Sequence, residues 1–373
     1  MLLENNGEEV HVLVDCGSYE KEVAEYIANE FGGRIDYLIV THIDNDHICG
    51  LITMLESKPD LVIHHILYNC YQRTSDALHE WDDKMVQNMQ RLYGHLPVVV
   101  DMLEGKVNAE ASKNLAELIL SNENWKKAWQ CEYVTADSKE IELGGNMGRL
   151  IILSPSKQAL EVLDEEYRKL FWQFLYKKKV LDYNKEETIY EALLRIMESE
   201  SEDNREEMVS VKNLDEQALR DYANEPLGTL TKENMASIAF VWEHIGHRIL
   251  FMGDAAPEQV CEKLKDVYQA GIKPVFFDAI KVSHHGSAHS MSNALMDLAD
   301  SERWFVTGGA STRPSYQALA RILTHALPDG ISHREIRYNR ENGVLKTLVC
   351  KDVLKEKYHY SIIADANEYE VSY

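Results

Sequence analysis

Four side chains able to hold a metal fall within six residues, in the run His42-Ile43-Asp44-Asn45-Asp46-His47. The apolar stretch Tyr37-Leu38-Ile39-Val40 leads into the run, and Ile48, Leu51, Ile52 and Leu55 after it have helical spacing. A tight loop between a buried strand and a helix can turn imidazoles and carboxylates toward one point. Mixed His and Asp ligands suit Zn²⁺, Mn²⁺ or Fe²⁺, and more carboxylate favours the harder ions. A polar surface loop is the competing reading, because Asp and Asn are common in turns. Two more candidates close apolar strands: Asp254 in Leu250-Phe251-Met252-Gly253-Asp254 and His284 in Ile280-Lys281-Val282-Ser283-His284. A carboxylate so placed can bridge two metals, and a neutral imidazole can complete one of them. Singly, Asp254 could cap the helix ahead of Pro257 and His284 could be a core-edge histidine. Their occurrence together with the first loop favours metal binding.

The elements that must position these groups alternate along the chain. Residues 10–14 form a short strand ending in Asp15-Cys16-Gly17. A helical stretch over 21–31 puts Val23, Ala24, Ile27 and Ala28 on one face, and Gly32-Gly33 stops it. Residues 37–40 and 61–67 are strands by pattern. Residues 76–130 are mainly helical with a break near Gly94-His95-Leu96-Pro97, and strands return at 140–143 and 149–153. A charged helical insertion spans 156–230; it holds an amphipathic stretch at 160–179 and an acidic run at 198–207 that suits a solvated loop. Further on, 236–242 and 248–252 make a hairpin around Gly246, and Pro257 opens a helix. One strand over 275–282 ends in Ser283-His284-His285-Gly286-Ser287, and another at 304–307 ends in Gly308-Gly309 before a helix from Pro314. Polar groups at the C-terminal ends of strands are how layered α/β folds assemble sites. Neither repeats nor strong linkers divide the chain, so residues 1–373 are taken as one domain carrying the insertion.

Composition narrows the partners. The formal charge of -23, from 39 basic and 62 acidic residues, argues against sequence-independent coating of DNA. It leaves a nucleic-acid substrate open, because bound cations and a local basic rim reverse the sign near a site. Six cysteines without a CxxC pair suit reduced, mostly buried thiols. No apolar run is long enough to span a bilayer, and the start lacks the flank of a signal peptide. The expectation is a cytoplasmic protein that engages no membrane.

Taken in order, Val14-Asp15-Cys16-Gly17, Thr41-His42-Ile43-Asp44-Asn45-Asp46-His47, Gly253-Asp254-Ala255 and His284-His285-Gly286-Ser287 resemble the metallo-β-lactamase superfamily. More narrowly they resemble the soluble hydrolase domain of the competence protein ComEC, where the common HxHxDH loop is also HxDxDH. The likeness touches residues 10–55 and 234–327 and leaves the insertion unexplained. It implies an α/β fold, an αββα metallo-β-lactamase sandwich with a helical insertion. It also implies two divalent metal ions, Zn or Mn: Asp46, His47 and His284 on one, His42 and Asp44 on the other, with Asp254 bridging. Asp46, His285 and Arg313 are the residues expected at the chemistry, in which a metal-activated hydroxide attacks the electrophile. His285 could donate to substrate or to a carboxylate. Asp15 either orients a ligand or is a simple buried turn residue.

Three departures from the family pattern shape the expectation. Ser154-Pro155 stands where many members place a ligand histidine, so the His42/Asp44 half could be short of one ligand, more open or only loosely filled. Arg313, in Ser311-Thr312-Arg313-Pro314, replaces a further histidine; it could grip a phosphate or be a surface residue. The usual N-terminal strand is missing, so numbering begins in what resembles the second strand and the true start could lie upstream. Among the remaining residues, His64-His65 suits a partly buried pair, Lys281 a strand-edge residue, and His289 either a proton donor or a loop histidine. A phosphodiesterase or nuclease acting on a phosphodiester such as DNA comes first. A hydrolase of a small ester, thioester, lactone or cyclic nucleotide is second. A regulatory or scaffold subunit that binds a protein partner through the insertion is third.

Overall fold

Apolar runs that end in polar turns become parallel strands, and their register carries the turns to common edges. The structure is a computed structural model. It describes residues 1–5, 7–17, 19–69, 115–129, 133–163, 214–269, 274–308 and 312–364. The chain divides into two units: Met1 with His11–Tyr133 and Leu160–Arg205, and Leu2–Val10 with Val134–Ala159 and Glu206–Tyr373. Both mix strands and helices, the α/β class expected.

One sheet holds β1 (Leu2–Asn5), β2 (Glu8–Val14), β3 (Arg34–Val40) and β4 (Val62–Tyr68) in that order. The strand β1 corrects the expectation that no strand precedes residue 10; its four residues are too few to show a period in sequence. Strands β2, β3 and β4 are parallel, with Val14 opposite Ile39 and Val40 opposite Tyr68. In β3, Ile35, Leu38, Ile39 and Val40 are all buried, as a central parallel strand requires on both faces. The helix Lys21–Asn29 ends ahead of Gly32 and Gly33, whose φ of 56° and 71° allow the reversal into β3. After β3, the helix Asn45–Ser57 buries Ile48, Leu51, Met54 and Leu55, so Met54 takes the core place expected of Ile52. His64 and His65 are exposed on β4, not partly buried; His64 Nδ1 bonds Asp36 at 3.1 Å and His65 stacks on Tyr37.

The second unit carries β5 (Ile141–Glu142), β6 (Arg149–Ser154), β7 (Ala239–His244), β8 (His247–Phe251), β9 (Val275–Phe277), β10 (Ala279–Lys281), β11 (Ala299–Ser301), β12 (Arg303–Val306), β13 (Arg334–Tyr338) and β14 (Tyr360–Ala364). Eight of them form a sheet of order β14-β13-β12-β10-β8-β7-β6-β5, parallel from β14 to β8 and antiparallel from β8 to β5. Its register sets Ile151, Val241, Leu250, Ile280, Trp304 and Ile336 in one buried row. The β7–β8 hairpin turns at Ile245-Gly246, both with positive φ, as expected. The single strand expected over 275–282 is two strands in two sheets, since β9 pairs with β11. Asp278 makes the break: its carboxylate accepts from Arg248 N–H at 2.7 Å while its own N–H donates to Arg248 O at 2.8 Å.

The helix Pro257–Tyr268 follows β8 with Pro at its first position and buries Val260, Cys261 and Leu264. Most of the proposed insertion, residues 164–213, lies outside the described residues, as does much of the helical region expected over 76–130. Residues after 213 are core: the helix Glu216–Asn224 buries Leu219 and Ala223. Of the cysteines, Cys16 and Cys261 are buried, Cys49 and Cys350 are exposed, and Cys70 and Cys131 lie outside the described residues. No helix among the described residues is long and apolar enough to cross a membrane.

Candidate metal centre

The first unit supplies one half of the expected donor set. Parallel pairing of β2 with β3 brings Asp15 and Thr41 off the same edge. The Asp15 backbone, at φ 52°, turns its carboxylate back onto the start of the next loop. There Oδ1 accepts from Thr41 N–H and Oδ2 from the Thr41 hydroxyl, each at 2.7 Å. His47 Nδ1 lies 2.8 Å from the same Oδ2. Burial alone would raise the Asp15 carboxyl pKa. The His47 imidazole beside it and the bonds from His47 and Thr41 outweigh this and hold the pKa below its ordinary value. An ionised Asp15 accepts, so His47 carries its proton on Nδ1 and its lone pair on Nε2.

Thr41 does the same for His42. Its one hydroxyl proton goes to Asp15, so toward His42 Nδ1, 3.1 Å away, it acts as acceptor. Both buried imidazoles thereby carry their lone pair on Nε2, the nitrogen that a metal would take, and their ring centroids are 4.2 Å apart. Nitrogens of the two rings come within 4.8 Å of each other, as do a carboxylate oxygen of Asp46 and a nitrogen of His47. Asp44 caps the helix by backbone alone, and its Oδ2 is 3.4 Å from His42 Nε2. Asp46 sits exposed in the first helical turn. A donor set of imidazole nitrogens and carboxylates with fixed tautomers fits a divalent cation of the Zn²⁺ or Mn²⁺ type.

Two substitutions probe this half. Asp15→Asn is expected to weaken Zn²⁺ binding ~10–100-fold, the usual scale for a carboxylate that orients a ligand imidazole, as read by chelator competition. Gly17→Ala tests the loop contact, because a Cβ there would stand 2.4 Å from the Asp46 carbonyl oxygen. It is expected to lower the free energy of unfolding by about 1–3 kcal/mol in urea titrations.

The second unit supplies the other expected ligands. Strands β8, β10 and β12 run parallel, with Phe251 opposite Lys281 and Lys281 opposite Phe305. Their ends therefore deliver Gly253-Asp254, Ser283-His284 and Thr307-Gly308 to one edge. Asp254 is buried, its N–H donates to Ser237 Oγ at 2.9 Å, and its Oδ2 lies 3.6 Å from His284 Nε2. The Gly253 carbonyl accepts from both His284 N–H, at 3.0 Å, and Lys281 Nζ, at 3.1 Å. Lys281, read as a strand-edge residue, has its ammonium satisfied by that carbonyl. His284, His285 and Gly286 follow with φ of 49°, 53° and 79°. Two consecutive non-glycine residues in this region cost of order 1–3 kcal/mol each. They are held by the bonds to Gly253 and by Pro314, packed where a Gly286 Cβ would lie only 2.7 Å away.

His285 is buried and its Nδ1–H donates to Thr307 O, so its lone pair is on Nε2. In neutral form its Nε2 can accept but not donate a proton, which narrows the donor role considered from sequence. Arg313 is half-buried beside Pro314, and Ser315 N–H donates to Gly286 O at 2.9 Å; Ser311 lies outside the described residues. His289 Nδ1 accepts from Gly228 N–H at 2.9 Å, leaving its proton on Nε2. Ser154 is fully buried, donates to Ser237 O at 2.8 Å and accepts from Ala239 N–H at 3.0 Å. Where a ligand histidine was looked for, a hydroxyl ties β6 to the start of β7. Thr41, Ser237 and Thr307 were not foreseen. Their only sequence signal is that each borders a strand end.

Residues 1–120 match the family model of the metallo-beta-lactamase superfamily, whose members are mostly metal-dependent hydrolases. The matched stretch contains Asp15, Thr41 and the whole loop from His42 to His47, and the α/β class expected is that of a metallo-β-lactamase domain. Asp254, His284 and Arg313 lie beyond it. No curated protein matches the chain.

Proposed function

We propose that the chain is a metal-dependent phosphodiesterase, a ComEC-like nuclease working in the cytoplasm. The residues that would hold its ions are His42, Asp44, Asp46 and His47 in the first unit and Asp254 and His284 in the second. The observation that supports the reading best is the tautomer lock on His42 and His47, since one carboxylate and one hydroxyl set both rings as ligands. Divalent ions in such a site lower the pKa of water to about 7 and offset charge on the attacked group. His285, with its lone pair on Nε2, takes up a proton and returns it to the leaving group. Arg313 grips phosphate oxygens in its planar fork. The charge of -23 favours a second reading, in which a small phosphodiester such as a cyclic nucleotide is the substrate.

Purified protein assayed with Mn²⁺ or Zn²⁺ on plasmid, single-stranded DNA, RNA, cyclic dinucleotides and model esters separates these readings. Cleavage of nucleic acid supports the first and cleavage of cyclic dinucleotides alone the second. Ester hydrolysis alone, or a protein that takes up no metal, overturns both.

A further inference from the structure

The short helix Lys232–Met235 stands just ahead of β7, and the Thr231 hydroxyl caps it by accepting from Asn234 N–H at 3.2 Å. Ser237 N–H donates to Asn234 O at 3.1 Å, which fixes the turn between these two residues. Both side chains reach expected ligands of this unit. Ser237 Oγ receives the Asp254 N–H, and the Asn234 amide lies against His284. Asn234 is 2 % exposed, and an amide so buried needs a polar reason to be there.

The contact itself supplies one. Asn234 Nδ2 is 3.2 Å from His284 Nδ1, while Oδ1 is buried with no hydrogen-bond partner among the described residues. An amide nitrogen can only donate to Nδ1, which puts the ring proton on Nε2 and takes that nitrogen out of ligation. Half a turn about the Cβ–Cγ bond exchanges the two ends of the amide without changing its shape. Oδ1 then faces Nδ1–H, the amide nitrogen takes the former place of Oδ1, and the His284 lone pair is on Nε2. Resting on the reading of His284 as a metal ligand, we infer that Asn234 is a positioning residue. Its carbonyl oxygen takes the Nδ1 proton of His284 and so makes Nε2 the coordinating nitrogen. Asn234 then serves His284 as Asp15 serves His47, with an uncharged acceptor in place of a carboxylate.

The test is Zn²⁺ affinity by chelator competition on the full chain, for Asn234→Ala, Asn234→Asp and His284→Ala, with Co²⁺ visible spectra beside it. Asn234→Ala is expected to bind Zn²⁺ ~10–100-fold more weakly, with a shifted Co²⁺ band and unchanged circular dichroism of the metal-free protein. Asn234→Asp, which still accepts the proton, is expected to bind at least as tightly as wild type. Wild-type affinity in Asn234→Ala, with loss in His284→Ala, overturns the inference and leaves His284 a ligand. Wild-type affinity in His284→Ala removes the ligand assignment and the inference with it. Should Asn234→Ala fail to fold, Asn234→Asp decides: wild-type affinity supports the positioning role, and binding weaker by about tenfold or more overturns it.

Discussion

Alanine in place of His47 is expected to remove the most tightly held ion and to lower hydrolysis ~10³-fold or more, because water without a metal returns to a pKa near 15.7. His47 has its ring fixed through Nδ1 by a direct carboxylate contact, to Asp15 at 2.8 Å, and the imidazole is itself buried. Its loss takes away the nitrogen that this arrangement prepares. Asp15 would keep both bonds from Thr41 but lose the imidazole, at a cost to stability of about 1–3 kcal/mol. Metal content must therefore be measured per folded molecule, with circular dichroism as the control. His42→Ala is expected to have the milder effect, since its Nδ1 rests on the neutral Thr41 hydroxyl at 3.1 Å and not on a carboxylate. Full metal content and rate in folded His47→Ala would remove the basis for the proposed centre.

The loop was legible in sequence because its candidate ligands are contiguous and an apolar strand announces them. Asp254 and His284 were legible for a weaker reason: each ends its own strand, and only parallel register makes those ends neighbours. Residues whose role comes purely from register left no such trace. Thr41 reads as an ordinary residue until β2 places Asp15 against its N–H and hydroxyl. Asn234 and Ser237 lie in a four-residue turn that pattern cannot separate from the strand after it. The same blindness affected the fold. Asp278 splits an apolar run because its carboxylate satisfies a neighbouring backbone, which periodicity cannot register. Residues Arg334-Glu335-Ile336-Arg337-Tyr338 were not read as a strand, since a charged residue at a core position breaks the apolar alternation.

That charged core position carries the largest expected effect on stability: Asp300→Ala should cost about 3–5 kcal/mol in the free energy of unfolding. Asp300 and Arg334 are both fully buried, paired through Nη2 to Oδ2 at 2.6 Å and Nε to Oδ1 at 3.1 Å. Arg334 also donates to the carbonyls of Ile322, His325 and Ala326, at the end of the helix Tyr316–Thr324. Carbonyl dipoles satisfy the guanidinium protons but do not neutralise its charge. Without Asp300, a full positive charge would remain in the core at the junction of β11, β13 and that helix. Asp300→Asn keeps the shape and removes only the charge, so most of the loss should persist in it. Asp300→Leu combined with Arg334→Met removes both charges and should recover much of the stability, because a buried pair contributes less than its broken half costs. Urea titrations of wild type and these three variants test it, and a loss below about 1 kcal/mol in Asp300→Ala would contradict it. Activity per folded molecule should stay near wild type in Asp300→Ala at low temperature. That outcome separates a fault in the scaffold from the loss of chemistry expected of His47→Ala.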